Sequence, residues 1–485
     1  MITSFTNVPV NIVGPSAEHR DSSYSAQVTM NFVPETHKTG ATQSVLVPWL
    51  GSKAFSAITG INPRGAHELN SVVYKISDTT LYSVTSSGVE TSIGTIDGTQ
   101  RCVMRDDGTN LIIATGSKWY QYNTSTGALS VFSSPTTSTG LSLGQGNSVD
   151  FLNGFAIYDV GSGKFFMSDF GDPDSFQTNN FATAESSPDD LKVVFVFNER
   201  CYLMGSRSIE TWKISTGNPP LTKIQNGTMP VGLKDIHSVV KSQNYVYFRG
   251  DDGWFYRFSS TQAINITSAF AANAFETFAN DTCESWIIEV QGGTYYVNNF
   301  TANNQTWVFS ERNHALSPGV DDWFQLSTGA DEDSYIGAMY LKAFNKHLIE
   351  KKGSGDLLEL DLTTYTDDTD KIVRRRRTPP IHGGLLGKTG ARLEMSWFEV
   401  IMKRGTGIAT GQGSDPRVYF KGSFDGGNSQ SNEAEVEIGR TGDALLKVRW
   451  YHTESFYEAD FEVICYDPVF YSIHGASIGL KFMGD

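Results

Sequence analysis

The feature that most constrains this chain is a repeat. Between Ser71 and Asp361, short apolar runs separated by Gly, Asp, Asn and Ser recur as units of three or four strands joined by polar turns. The units begin at Ser71, Arg101, Ser148, Leu191, Ile236, Cys283 and Ser334, in steps of 30, 47, 43, 45, 47 and 51 residues. After the first step this is the period of propeller blades, about 40–50 residues. A four-stranded meander cannot cover both of its faces, so it must stack on neighbours around an axis. The expected fold is therefore all-β, with a β-propeller of six or seven blades over residues 61–370. Stacked sandwiches would also give short strands, but the near-constant long period favours a wheel. Aromatic residues in the middle strands, such as Trp119, Phe165, Trp212, Phe255 and Tyr296, suit the gaps between twisted sheets.

The flanks read differently. Residues 1–60 are rich in Pro, Ser, Thr and Asn and predict an extended N-terminal arm. Beyond residue 370 the long period stops, and alternating segments such as 392–401, 417–423, 458–466 and 477–483 predict a C-terminal β-sandwich over 371–485. Charge divides at the same place. Residues 371–485 hold 15 Lys+Arg and 14 Asp+Glu, whereas residues 1–370 hold 23 and 39, a net of −16. Helical periodicity is confined to an Ala/Phe-rich stretch at 273–279.

Composition excludes several classes. With 39% hydrophobic and 19% charged residues, the chain is not of the disordered type. No apolar run approaches the ~20 residues of a membrane helix, and the first residues lack the basic-then-apolar order of a secretory signal. Cys102, Cys201, Cys283 and Cys465 lie far apart with no CxxC pair, so buried free thiols are expected, without a zinc or redox site.

A family resemblance rests on two groups of motifs. The first is Phe166-Met-Ser-Asp-Phe-Gly-Asp-Pro-Asp-Ser-Phe, followed by Phe181-Ala-Thr-Ala-Glu-Ser-Ser-Pro-Asp-Asp and Leu203-Met-Gly-Ser-Arg-Ser-Ile-Glu-Thr-Trp. The second comprises Arg377-Thr-Pro-Pro-Ile, Ser423-Phe-Asp-Gly-Gly-Asn-Ser, Val448-Arg-Trp and Tyr466-Asp-Pro-Val. In this order they resemble the hub or nozzle proteins of short-tailed phages, the packaged-DNA stabilisation family. The resemblance implies a structural virion protein, made in the host cytoplasm and placed in the phage tail. It implies a homohexameric ring below the portal and adaptor that extends or closes the DNA channel, retains packaged DNA and docks spikes, fibres or a needle. DNA would pass without sequence-specific binding. A net of −16 suits a wall that should not hold phosphates, because each Lys or Arg there would add a contact that slows transit.

Arg374, Arg375, Arg376 and Arg377 form the one basic cluster and are the candidate contact to an acidic partner or to terminal DNA. On a strand, Arg374 and Arg376 face one way and Arg375 and Arg377 the other. The competing expectation is pairing within the chain, for instance with Asp367, Asp368 and Asp370. Asp106-Asp-Gly, Asp251-Asp-Gly and Asp425-Gly-Gly fall where hairpin turns are due and lack the further oxygen ligands of a calcium loop. No catalytic, cofactor-binding or metal-ligating residue is assigned, and the chain is expected not to be an enzyme. The alternative, a tail component that binds or cleaves host surface polysaccharide, would need two placed carboxylates for cleavage, and no motif frames such a pair.

Overall fold

The computed structural model describes residues 5–36, 44–132, 146–160, 163–177, 179–184, 190–217, 219–316, 322–443 and 445–483. The molecule is all-β, with 53% strand and 5% helix. Of the motif that begins at Phe181, residues 185–189 lie outside the described set.

Consecutive strands pair into antiparallel meanders. Meander 1 is Pro63–Leu69, Val72–Ser77, Thr80–Val84 and Glu90–Thr95. The unit expected from the sequence begins at Ser71 and so omits the first of these strands. Its missing first strand, Pro63–Leu69, begins with Pro and carries Arg64, His67 and Glu68, which hide it among polar residues. Meander 2 runs from Val103–Asp106 to Ala128–Val131, meander 3 from Val149–Leu152 to Phe181–Thr183, and meander 4 from Leu191–Phe197 to Leu221–Met229. Meander 5 runs from Val240–Lys241 to Ile264–Asn265, and meander 6 from Cys283–Val290 to Trp323–Thr328. Meander 7 supplies only Gly337–Ala343, Lys346–Lys351 and Leu357–Asp361 from its own stretch. Its fourth strand, Gly51–Ser56, comes from the start of the chain and pairs Leu360 with Ser52 and Asp361 with Gly51.

Alternation along each strand divides its side chains between two neighbours. In Asn110–Ala114, Leu111 and Ile113 join the core shared with meander 1, while Ile112 and Ala114 join the core shared with meander 3. The same division repeats round the molecule. Meanders 3 and 4 meet through Phe165 and Trp212, 4 and 5 through Tyr202 and Phe258, and 5 and 6 through Phe255 and Tyr296. Meanders 6 and 7 meet through Val297 and Ile349. The seventh packs on the first through Leu341, Leu348 and Leu357 against Val73 and Val84.

Turns carry the expected chemistry. In the Asp106-Asp-Gly turn, Asp106 Oδ1 accepts from the Gly108 N–H at 2.8 Å, and Gly108 has φ of +93°, a region that glycine enters without steric cost. Asp425 Oδ1 likewise accepts from the Ser429 N–H at 2.9 Å. The Ala/Phe-rich stretch forms the helix Ala269–Thr277, capped by Ser268 Oγ accepting from the Ala271 N–H at 3.0 Å.

The described part of the first sixty residues, expected as an arm, is divided among four sheets, one of them the small pair Ala17–Glu18 and Ala26–Gln27. Gly51–Ser56 completes meander 7. Thr29–Met30 lies between Trp323–Thr328 of meander 6 and Arg374–Arg377, joining that meander to the C-terminal strands Glu458–Cys465, Arg417–Ser423 and Ala434–Glu437. Thr6–Val10, Phe32–Thr36 and Ser44–Pro48 belong to a second C-terminal sheet with Arg449–Phe456, Leu393–Met402 and Ile473–Phe482. The facing sides of these two sheets share one apolar core, in which Phe398 stacks on Phe461 at 4.7 Å between ring centres.

Candidate functional site

The four arginines predicted as a contact surface form the strand Arg374–Arg377, and their faces alternate as expected. Arg374 and Arg376 are fully buried. Arg376 reaches back to the N-terminal segment: Nε donates to the Ile12 carbonyl, Nη1 to the Pro15 carbonyl at 2.9 Å and Thr29 Oγ1 at 2.8 Å, and Nη2 to Gln27 Oε1 at 2.7 Å. Burial pulls its pKa down to about 9, which leaves it charged at neutral pH. Arg374 donates to the Ile372 and Tyr365 carbonyls at 3.4 Å. Arg377 clasps Asp460 with two bonds of 2.6 and 3.0 Å, and Arg375 pairs with Glu332 and Glu462. The cluster is therefore a structural seam between chain segments, with Arg374 and Arg376 withdrawn from any outside contact and Arg375 and Arg377 partly exposed. Of the anticipated acidic partners, Asp367 acts on Arg374 through its charge, while Asp368 pairs with Lys351 at 2.6 Å. Sequence proximity had pointed to Asp367–Asp370, but neighbouring strands in a sheet bring together residues more than eighty positions apart.

The seam has a second buried centre. Asn31, at φ +56°, donates through Nδ2 to the Ser327 carbonyl at 3.0 Å and the Val373 carbonyl at 2.7 Å, and its Oδ1 accepts from the Ser327 N–H at 2.9 Å. Asp367 lies nearby, accepting from Thr328 Oγ1 at 2.8 Å. Burial raises its pKa to about 7, against the opposing pull of Thr328 and Arg374.

The other concentration of chemistry is a pair of chambers lined by the first strands of the meanders, which sequence reasoning did not identify. One chamber, about 560 Å³, is bounded by His67, Arg105, Asp150, Phe195, Lys241 and Trp286. The second, about 880 Å³, shares Arg101, Ile236 and His237 with it and adds Lys192, Lys234 and Glu284. Volumes of this order suit small ligands.

Charges in the chambers are largely paired. His67 Nε2 meets Asp106 at 2.6 Å, and that bond holds the Asp106 carboxyl below its ordinary range. Arg101 meets Glu284 at 3.1 Å. His237 is pushed to about 3 by burial and by Arg101, so it is neutral at physiological pH. Among the described residues no group of three or more His, Cys, Asp or Glu could hold a metal ion. The sequence signal for the chambers was weak, because their charged residues are scattered one or two per meander.

Comparison with known proteins bears on this architecture. The model of the family described as "Bacteriophage P22 Gp10, beta-propeller" matches residues 6–365. No curated protein matches the sequence. Among solved structures, the chain is similar to PorZ of the type-IX secretion system of Porphyromonas gingivalis at 12% identity, covering 63% of this chain and 39% of that one, with a TM-score of 0.37. It is similar to the extracellular domain of a one component system from B. thetaiotaomicron at 10% identity, covering 81% and 48%, with a TM-score of 0.44. A computationally designed protein, Ika8, gives 8% identity, 64% and 100% coverage and a TM-score of 0.39. The chain thus spans less than half the length of the first two. Overlaps this loose fix neither blade number nor function.

Proposed function

This chain belongs to the phage stabilisation family described as "Bacteriophage P22 Gp10, beta-propeller", and on that premise we propose that it is a tail hub or nozzle of the virion. The family match over residues 6–365 carries the reading. In it, six copies form a ring below the portal and adaptor, the ring continues or closes the DNA channel, and its outer faces dock other tail components. The role is mechanical, with no catalytic step.

The architecture proposed for each copy is a seven-bladed propeller joined to a β-sandwich. Seven apolar cores between seven meanders support the blade number, and the shared core of the two C-terminal sheets supports the sandwich. Because the chambers within one copy are of small-ligand size, the passage for DNA lies between copies. That arrangement needs a heterologous interface whose rotation closes on itself. The acidic balance of residues 1–370 keeps the wall from trapping phosphates.

Production of particles without this protein tests the proposal. Capsids are expected to fill with DNA and then lose it, with retention restored by supplying the chain. Particles that keep their DNA and infect normally without it would overturn the proposal.

A further inference from the structure

The 560 Å³ chamber is lined by cations and donor groups, some of which lack a hydrogen-bond partner among the described residues. Arg101 and His67 are matched by Glu284 and Asp106. Arg105 and Lys241 both feel the Asp150 carboxylate, and Arg105 also acts on Asp106. Both cations stand near the same ring, Phe195, at 5.9 and 5.5 Å from its centre, and Arg105 repels the Lys241 charge. Among the described residues, Lys241 donates only to the Val196 carbonyl, at 3.3 Å.

Asp150 is committed to the backbone through both oxygens. Its Oδ1 accepts from the Phe151 N–H at 3.0 Å and its Oδ2 from the Val196 N–H at 2.8 Å, which fixes the carboxylate to the backbone. Arg105 Nε approaches Oδ1 only to 3.6 Å, too far for a hydrogen bond, and is a buried donor without an acceptor. A second such donor belongs to Trp286, 3% exposed and also lining the chamber, whose indole N–H has no acceptor among the described residues. Buried donors left unpaired are rare in folded proteins and ask for an explanation such as an absent ligand. A single water would relieve one donor but not the charge.

We infer that this chamber binds a small oxyanion, a carboxylate- or phosphate-bearing molecule of about monosaccharide size, with Lys241 and Arg105 taking the charge and the aromatic wall covering the remainder. One anionic group with two acceptor oxygens neutralises the cation pair and reaches donors that the chain leaves unanswered. The volume admits a small organic acid or a sugar acid and excludes a polymer threaded end to end. Binding of this kind is independent of the hub reading, since the chamber is complete within one copy.

Isothermal calorimetry on the full chain tests the inference, with inorganic phosphate, D-glucuronate and uncharged D-glucose as the three probes. Saturable binding of phosphate, of glucuronate or of both, without glucose binding, is expected. Phosphate alone would point to a free or esterified phosphate as the natural occupant, and glucuronate alone to an organic carboxylate. Lys241→Met is expected to weaken binding at least tenfold; because Lys241 is exposed to the chamber, its loss spares the packed core. The wild-type protein also offers a direct reading, since the indole N–H signal of Trp286 should move downfield as the anion binds. Absence of binding by both anions, equal binding of glucose, or unchanged affinity in Lys241→Met would each overturn the inference.

Discussion

Lys75 Nζ lies 3.1 Å from Glu350 Oε1, with both side chains almost wholly removed from solvent, at 0% and 1% exposure. One residue belongs to meander 1 and the other to meander 7, so this ion pair sits at the junction where the end of the repeat meets its beginning. Removing one partner from a buried pair leaves an uncompensated charge, at a cost of about 3–5 kcal/mol. Lys75→Met and Glu350→Leu are each expected to lose that much in urea unfolding. The double variant should recover most of it, because two apolar side chains leave no orphaned charge.

Closure of the last meander by Gly51–Ser56 depends on close backbone approach at Gly51. A Cβ there would lie 2.3 Å from the Thr364 carbonyl oxygen, and the Gly51 N–H donates to that same oxygen at 3.1 Å. Gly51→Ala is therefore expected to displace the closing strand and to cost about 1–3 kcal/mol, as overpacking does. Hydrogen exchange should show the loss concentrated in Leu357–Asp361, the strand it pairs with. Uniform protection in the variant would contradict this.

Asp367 gives the fold a pH dependence of defined sign. Its carboxyl has a pKa of about 7 in the folded chain because it is buried, against an ordinary value near 3.8. The folded state therefore holds a proton that the unfolded chain gives up, and its contribution is complete below about pH 4. Stability should fall as pH rises from there through about 7, by at most about 4 kcal/mol. Asp367→Asn removes the titrating group, and denaturation curves from pH 5 to 8 should flatten relative to wild type.

Replacing all four arginines of Arg374–Arg377 by Ser should abolish folding rather than spare it. Losing Arg376 alone deprives the Ile12 and Pro15 carbonyls, Gln27 and Thr29 of their donor inside the protein. Each buried acceptor left unpaired costs about 1–3 kcal/mol. Arg375→Ser, at a partly exposed site, should cost less than Arg376→Ser in the same thermal melt.

The cysteines should be chemically silent. All four are free and buried, and burial pushes the Cys102 thiol up to about 11 and the other three higher still. A thiol reagent at neutral pH is expected to label none in the native chain and all four in denaturant, since the thiolate is the reacting form.

Much of the architecture was legible because a sheet packed on both faces needs apolar residues at alternate positions on each side. Leu111, Ile112, Ile113 and Ala114 show this in four successive residues. The role of residues 1–60 was hidden because strand pairing is not local. Nothing near Gly51 in sequence says that it faces Asp361, and Pro34 and Pro48 made their strands read as irregular. The arginines were legible as an alternating strand, but their environment was not, since a basic run looks the same on a surface and in a seam. The chamber was hidden for a related reason: Arg105, Asp150, Phe195 and Lys241 come from four different meanders and become neighbours only when the repeat curls round an axis.

Electron cryo-microscopy of the tail purified with its portal tests the central claim most directly. The account predicts six copies in one ring on the portal axis, with the DNA passage between copies and each propeller's own axis outside it. A single copy, a lateral fibre position, or DNA running through the centre of one propeller would contradict it.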